Sequence, residues 1–312
     1  MTTADGTTTA LDADGTTTAL DADVTASALD VVRAGVLTTV QDEGRPGHAH
    51  LGVPRSGALD VHAHRLANRL VGNPADAATL ETTLDGVALR TRTAVTIAVT
   101  GAPAPVRIGG RPAPWGAPVR VPAGEVLDVG RPTAGLRTYV AVAGGVAVEP
   151  VLGSRSTDLL SGLGPAPLTS GAVLPVGTPQ RPAPPAPDAH PWQAPPHELV
   201  LPLLLGPRHD WFTEEALRTL AGPGYRVSPA ANRIGLRTEG PALARIKENE
   251  LPSEGMVLGA VQVPPDGLPV VFLADHPVTG GYPVIGVVPE QHLAAAAQAV
   301  PGTPVRFVVR GG

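Results

Sequence analysis

Four arginines lie beside glycine or polar turn residues, where loops commonly meet ligands: Arg45, Arg69, Arg155 and Arg233. A guanidinium group offers a planar fork of N–H donors that matches a carboxylate or a phosphate. The chain has one lysine, Lys247, and neither a GxxxxGK[ST] loop nor a GxGxxG turn. Any anion that this chain binds is therefore expected on arginine forks, backbone N–H groups or a metal ion.

Two His-x-His pairs, His48/His50 and His62/His64, raise the question of a metal site. The second pair falls on a predicted helix, where side chains two residues apart point about 200° away from each other. Helical metal pairs need a spacing of three or four residues. The spacing favours a structural or solvated role for these histidines.

Ser56, in the run PRSGALD, is a candidate nucleophile with a histidine as its base. No GxSxG elbow accompanies it. A serine in this place more often caps a helix or closes a turn, and we favour that role. Polar contact with a ligand at the start of a helix is compatible with capping and stays open.

Two polar turns follow apolar runs. Residues 152–158, LGSRSTD, are dense in hydroxyl and charged side chains, and residues 274–283, ADHPVTGGYP, contain a glycine pair and Tyr282. Each turn has the composition of a ligand loop. Each is equally explained as a local turn, since serine and threonine bond to nearby backbone and Asp275 can cap a hairpin.

Short strands are expected to position these groups. The 37 glycines and 36 prolines interrupt helices, and β-branched runs recur from Val87 onward at the spacing of a barrel or sandwich. Residues 59–71 instead show helical periodicity, followed by a second short helix with Asn73 as its cap and Pro74 in its first turn. Further helices are predicted near residues 213–220 and 289–299.

The length of 312 residues predicts two domains. Residues 1–28 contain a nine-residue duplication of small and acidic residues and are predicted to be a disordered tail, with a calcium-binding repeat as the minor alternative. Residues 29–177 and 197–312 are the two predicted β domains. Residues 178–196 are a proline-rich linker.

Composition disfavours several classes of function. A net charge of −5 with scattered basic residues argues against nucleic-acid binding. The absence of cysteine excludes disulfides and thiolate metal sites and suits the cytoplasm. No basic N-terminus with an apolar segment and no long apolar run supports secretion or membrane insertion.

Ten segments occur in the order typical of one family. They are TVQDEGRPGH (39–48), GVPRSGALD (52–60), LANRLVGNP (66–74), LE (80–81), VAVAGGV (140–146), LGSRSTD (152–158), LLGPRHDWF (204–212), VSPAANRIGLR (227–237), LPSEGMVLGAVQVPPDGLPVVFLAD (251–275) and TGGYP (279–283). The chain resembles allophanate hydrolase subunit 2, the carboxyltransferase-like group related to urea amidolyase that includes components of 5-oxoprolinase. The resemblance extends from about Val31 to Phe307.

The resemblance implies a mostly β chain with two cyclophilin-like β-barrel domains and a few short helices. It implies a complex with two partners, one like allophanate hydrolase subunit 1 and one of the LamB/YcsF type. That complex would open the lactam of 5-oxoproline to L-glutamate with ATP as co-substrate. The ATP is expected as its magnesium complex, held by this chain or by a partner.

Site residues are transferred by position in the matching segments. Asp60, Asp275 and Arg155 are the catalytic candidates, the two carboxylates as bases or metal ligands, and no dedicated metal site is predicted. Substrate or phosphate contacts are expected from a larger set: Arg45, Ser56, Asn68, Arg69, Ser156, Thr157, Arg233, Gln262, Thr279, Gly280, Gly281 and Tyr282.

The sequence departs from the family pattern in three places. A usual Ser-Asp-Arg-Met-Gly run reads Ala-Asn-Arg-Ile-Gly at residues 231–235, Arg-Gln-Thr is replaced by His-Pro-Val at 276–278, and Gly-Arg by Pro-Ala-Pro at 165–167. Two other functions stay open. One is regulatory binding to a subunit-1-type kinase inhibitor, as in relatives that act on a sporulation sensor kinase, and the other is the carboxyltransferase half of a biotin-dependent urea carboxylase.

Overall fold

A computed structural model describes residues 27–182, 194–247 and 251–310. The duplicated segment of the predicted tail and residues 183–193 of the predicted linker lie outside the described residues. Within the described ranges, no helix has the length and apolar character needed to cross a lipid bilayer.

The N-terminal unit consists of two antiparallel sheets. One has the strand order β11-β1-β4-β9-β6-β7 and the other the order β2-β3-β10-β5-β8. The first strand begins one residue before the predicted start of the domain. The bounds are β1 Ala28–Arg33, β2 Leu37–Gln41, β3 Thr79–Thr83, β4 Val87–Thr91, β5 Val95–Gly101, β6 Val106–Ile108, β7 Arg111–Ala113, β8 Val119–Val121, β9 Val126–Val129, β10 Arg137–Val142 and β11 Val173–Pro175.

Both N-terminal sheets contribute to one core. Leu29, Leu89 and Leu127 come from the first sheet, and Ile97 and Val140 from the second, all almost fully buried. The β-branched residues suit the pleated surface of a strand, which is why the short apolar runs seen in the sequence become strands here.

The C-terminal unit contains a closed barrel with the strand order β12-β19-β16-β17-β14-β13-β20. Its first and last strands pair in parallel and close the barrel. A two-stranded ribbon, β15 with β18, lies beside it. The bounds are β12 Leu199–Leu205, β13 Tyr225–Val227, β14 Gly235–Glu239, β15 Glu254–Gly255, β16 Ala260–Gln262, β17 Val270–Phe272, β18 Thr279–Gly280, β19 Val284–Val287 and β20 Pro304–Arg310.

Three short α-helices complete the fold: α1 Val61–Leu70, α2 Glu214–Ala221 and α3 Leu293–Gln298. Short 3-10 helices lie at Ala49–Leu51, Pro207–Trp211 and Glu290–His292. The prediction of a mostly β chain with few short helices is confirmed. Each predicted helix near the positions of α1, α2 and α3 is present.

The predicted helix after Pro74 is wrong, because the chain makes only a turn there. Asn73 does not cap a helix. Its amide donates to the carbonyl of Val142 at 2.8 Å and to the side chain of Asn68 at 3.0 Å, and its oxygen accepts from the N–H of Gly144 at 2.8 Å. These contacts with the end of β10 and with the glycine pair that follows it hold Asn73 in place. They leave no periodic pattern in the sequence.

His64 is a buried histidine on α1. Its Nδ1 lies 2.9 Å from Thr79 Oγ1 and its Nε2 lies 3.0 Å from the carbonyl oxygen of Ala75. Burial lowers the pKa of His64 below its ordinary value of 6.5. The side chain is packed in the core, which is the structural one of the two roles, structural or solvated, that the spacing favoured.

We expect the free energy of unfolding to fall as the pH drops below about 6.5, because the unfolded state then binds a proton that folded His64 resists. His64→Gln should flatten this slope in denaturant titrations at a series of pH values, whatever its effect at pH 7. His62→Gln, at an exposed position on the same helix, is the matched control. Equal slopes in both variants would contradict the assignment.

Candidate functional site

A cleft of about 350 Å³ lies between the N-terminal unit and the barrel. Its N-terminal wall is formed by the loop before α1 and the first turns of that helix. Its barrel wall comes from the segment after β17 and from the residues around α3. Half of the residues that line it are apolar: Ala58, Leu59, Val61, Leu258, Leu273, Ala274, Leu293 and Ala294.

Charged and polar side chains complete the lining of the cleft. Two ion pairs occur there, between Arg55 and Glu290 at 3.1 Å and between Arg65 and Glu43 at 2.5 Å. The first pair connects the N-terminal unit to the barrel.

His276 also lines the cleft, and burial lowers the pKa of its imidazole. Its Nδ1 lies 2.8 Å from the carbonyl oxygen of Pro277, which can only accept, so Nδ1 carries the hydrogen and Nε2 is the acceptor.

Ser56 is one of the lining residues and has a strained backbone. Its φ is +54°, a region that residues with a side chain rarely adopt. Its N–H donates to the carbonyl of Ala274 at 3.1 Å, and its Oγ lies 2.7 Å from Asp275 Oδ1 and 3.1 Å from the carbonyl oxygen of Thr157. Strain of this kind persists where surrounding contacts hold it, and it often marks a functional position.

The serine does not cap α1, because Asp60 does so by accepting from the N–H of Ala63 at 3.0 Å. The capping role that the sequence favoured for Ser56 is therefore wrong. Its hydroxyl does not close a local turn either, because its partners, Asp275 and the carbonyl of Thr157, are distant in sequence.

Asp275 and Arg233 form a fully buried ion pair behind the serine. Arg233 Nε lies 2.9 Å from Asp275 Oδ2, and its Nη2 lies 2.9 Å from Oδ1. The guanidinium also donates to the carbonyl of Gly57 at 2.7 Å and to Glu81 Oε1 at 2.5 Å. Arg233 therefore joins the barrel to a strand and a loop of the N-terminal unit.

The charges in this cluster stabilise one another. Burial opposes ionisation of Glu81, but Arg233 and Arg137 hold its pKa below the ordinary value. Burial likewise opposes the charge on Arg233, and the two carboxylates more than offset it, so the pKa of Arg233 is raised. Because every branch of the Arg233 guanidinium is occupied, it cannot hold a phosphate without losing these contacts. The predicted ligand role of Arg233 is replaced by a structural one.

Asp60, which the sequence predicted to be a catalytic carboxylate, also makes its hydrogen bonds within the protein. Besides capping α1, it accepts from Gln298 Nε2 at 2.8 Å. The carbonyl oxygen of the Gln298 side chain accepts the N–H of Leu136 at 3.1 Å and the N–H of Arg137 at 2.9 Å. Burial raises the pKa of Asp60. This carboxylate connects α1 to α3 and does not line the cleft.

Arg45 is buried beneath residues 152–158. Its guanidinium donates to the carbonyl oxygens of Val151, at 3.3 Å, and Ser156. Burial lowers its pKa, and the charges of Asp158, Asp42 and Asp275 favour the cation. The guanidinium supports this loop from below, and the role of Arg45 toward a ligand stays a prediction.

Ser156 and Thr157 lie in the same polar turn. Asp42 fixes the turn by accepting from Ser154 Oγ and Ser156 Oγ at 2.6 Å each and from the N–H of Arg155 at 2.6 Å. Sequence reasoning missed Asp42. Its signal was the dense run of hydroxyl side chains in the turn, which needs an acceptor once buried.

Three other predicted residues lie away from the cleft. Arg155 donates through Nε to the carbonyl of Val148 at 2.7 Å and lines a second cavity of about 690 Å³, next to the glycine pair at 144–145. Asn68 is fully buried and donates to the carbonyl of Ala77 at 2.7 Å. Arg69 is exposed on α1.

The TGGYP segment forms a separate group at the barrel. Thr279 and Gly280 belong to β18, and Gln262 Nε2 donates to the carbonyl of Tyr282 at 3.2 Å. Gly281 follows β18, and the ring of Tyr282 is exposed. None of these five residues lines the cleft. Their roles toward a ligand stay predictions.

The ranges that the structure describes contain no group of three His, Asp or Glu side chains arranged to hold a metal ion. Sequence reasoning also missed Glu81, Arg55 and Glu290. Arg55 was visible in the GVPRSGALD segment, whereas nothing in the sequence marks Glu290 as its partner.

The chain is similar to a family of known proteins. The family model described as carboxyltransferase domain, subdomain A and B, matches residues 51–309. The C subunit of 5-oxoprolinase from Escherichia coli strain K12 is 38% identical over 281 residues, which cover 89% of this chain and 90% of that protein.

Two solved structures share the fold. The crystal structure of TTHA0988 has a TM-score of 0.81 and 40% identity, covering 90% of this chain and 56% of the other. The urea amidolyase of K. lactis has a TM-score of 0.81 and 32% identity, again over 90% of this chain but 18% of that protein. This chain therefore spans about half of the first solved relative and a small part of the second.

Proposed function

The chain belongs to the family of the carboxyltransferase domain, subdomain A and B, and from that membership we propose that it is the C subunit of an ATP-dependent 5-oxoprolinase. The complex would open the lactam of 5-oxoproline to L-glutamate while ATP is hydrolysed. The observation that carries the proposal is the match to the C subunit of the Escherichia coli 5-oxoprolinase over 90% of that protein's length.

Opening of the lactam requires groups that stabilise charge. Amide resonance protects a lactam carbonyl, and transfer of a phosphoryl group to its oxygen would make the carbon a better electrophile. Such a step depends on stabilisation of charge by positioned cations and N–H donors. In this chain the buried arginines Arg45 and Arg233 are already engaged with the protein's own carbonyl and carboxylate groups.

We therefore assign the triphosphate of ATP, and the magnesium ion that accompanies it, to a partner protein. The cleft does not fit a triphosphate, since half of its lining residues are apolar and two glutamates, Glu43 and Glu290, put negative charge beside its two arginines. The partners in this proposal are a protein like allophanate hydrolase subunit 1 and a LamB/YcsF-like protein.

A second candidate function is the carboxyltransferase half of a biotin-dependent urea-processing enzyme. The urea amidolyase of K. lactis supports it, with the same fold at 32% identity. A biotin carboxylase and a biotin carrier would then have to come from partners.

Co-expression of this chain with the two candidate partners tests the proposal. The purified complex should release glutamate from 5-oxoproline in the presence of ATP and should not process urea. Turnover of urea with bicarbonate and a biotinylated carrier, in place of 5-oxoproline, would select the second candidate. No glutamate from the complete complex would reject the first.

A further inference from the structure

The ion pair between Arg55 and Glu290 lies at the cleft, where another anion can replace Glu290. Arg55 Nη1 contacts Glu290 Oε1 at 3.1 Å, and the two side chains are 38% and 62% exposed. The only other hydrogen bond of the Arg55 guanidinium within the described residues is a long one, 3.4 Å, from Nε to the carbonyl of Glu43. Exposed ion pairs of this kind contribute little to stability, so a competing anion can displace Glu290 at small cost.

Arg233, the other arginine that joins the barrel to the N-terminal unit, cannot exchange its partners in this way. Arg233 is fully buried and makes four hydrogen bonds to two carboxylates and a carbonyl. Arg55 keeps part of its donor fork available at the edge of a cavity. Of the two, only Arg55 has the exposure that ligand binding requires.

The surroundings of Arg55 define the kind of ligand. The cleft is about 350 Å³, large enough for a small molecule, and Leu59, Leu273 and Leu293 contribute to its apolar lining. An apolar wall next to an exchangeable guanidinium suits a compact ring whose methylene groups pack on that wall and whose one carboxylate contacts the guanidinium.

We propose that this cleft binds a small cyclic carboxylate, whose carboxylate replaces Glu290 on Arg55. Resting on the proposed function, the natural ligand is 5-oxoproline, with its ring against the leucines. Glu290 then acts as an internal competitor that occupies Arg55 when the ligand is absent. This places substrate binding at Arg55, one residue before Ser56, and away from the buried arginines.

Variants of the two residues should change binding in opposite directions. Arg55→Gln should weaken binding of 5-oxoproline at least about tenfold, because it removes the charge-assisted contact. Glu290→Gln should strengthen binding several-fold, because the competitor is gone. The measurements are calorimetry on the full chain and KM of the reconstituted complex. Arg92→Gln, which breaks the exposed pair with Asp30, is the control and should change neither.

A purely structural ion pair would behave differently, since either variant would break it and shift both values in the same direction. Shifts of equal sign, or no shift in either variant, would overturn the inference. Cyclopentanecarboxylate, which has no lactam, separates this inference from the proposed function. If the two variants shift the affinity for cyclopentanecarboxylate in opposite directions but the complex does not turn over 5-oxoproline, the anion site is supported and the proposed function is rejected. If the complex turns over 5-oxoproline normally and its KM is unchanged in both variants, the proposed function is supported and the anion site is rejected.

Discussion

Arg233→Met should lower the free energy of unfolding by about 3–5 kcal/mol, because it leaves two buried carboxylates without their shared cation. Glu81 and Asp275 are 1% and 0% exposed. Within the described residues, Glu81 would retain Arg137, 3.5 Å away, as its one cation, together with the N–H of Leu59 and the hydroxyl of Tyr139. Asp275 would retain the donors of Ser56 and Leu159 and no cation from those same residues. Denaturant unfolding of the purified chain measures the loss.

Arg226→Met is the matched control for this prediction. Arg226 pairs with Glu239 at 2.9 Å, but both side chains are substantially exposed, and its removal should cost at most about 1 kcal/mol. Adding Glu81→Gln to Arg233→Met should recover part of the stability, since one uncompensated charge is removed. If Arg233→Met cost no more than the control, the buried cluster would not hold the two units together.

Ala294→Trp should reduce kcat/KM of the reconstituted complex about a hundredfold or more, because the indole occupies the cleft that the substrate needs. Ala294 lines the cleft from α3 and is partly exposed, so a larger side chain can project into the cavity. Denaturant unfolding should show little change in stability.

The neighbouring Ala295→Trp is the control for the cleft. Ala295 lies on the same helix but lines a different cavity, beside Gly135 and Pro195. We expect this variant to retain most of the activity. Comparable losses of activity in the two variants would show that the effect comes from α3 as a whole, and the cleft would lose its assigned role.

The local structure of this chain follows from its sequence to a large extent. The helical spacing of Ala63, Ala67 and Leu70 predicts α1, and all three are buried in the structure. Short β-branched runs predict the strands. These patterns are local, since they depend on which face of an element is apolar, and a single sequence records that directly.

The side-chain contacts of the site could not be predicted in the same way. Arg233 and Glu81 are 152 positions apart, and Ser56 and Asp275 are 219 apart. Motif position marked Arg233, Ser56 and Asp275, and the structure brings these three side chains together. It could not distinguish an arginine whose three nitrogens all donate inside the protein from one, such as Arg55, that faces a cavity.

One departure from the family pattern has a structural explanation. Asn232 stands where an aspartate is usual, and its side-chain oxygen accepts the N–H groups of Ile234 at 2.8 Å and Gly235 at 3.2 Å. These contacts form a turn that leads into β14 and require only an oxygen acceptor. The amide therefore preserves the turn that orients Arg233, and the substitution does not by itself argue against the family's activity.

The most direct test of the account is an omission experiment with purified proteins. The LamB/YcsF-like partner and the partner like allophanate hydrolase subunit 1 should be assayed together for ATP-dependent release of glutamate from 5-oxoproline, with and without this chain. We predict release only when this chain is present, with a KM that rises when the added chain carries Arg55→Gln. Equal release in the absence of this chain would contradict its assignment as a required component of a 5-oxoprolinase.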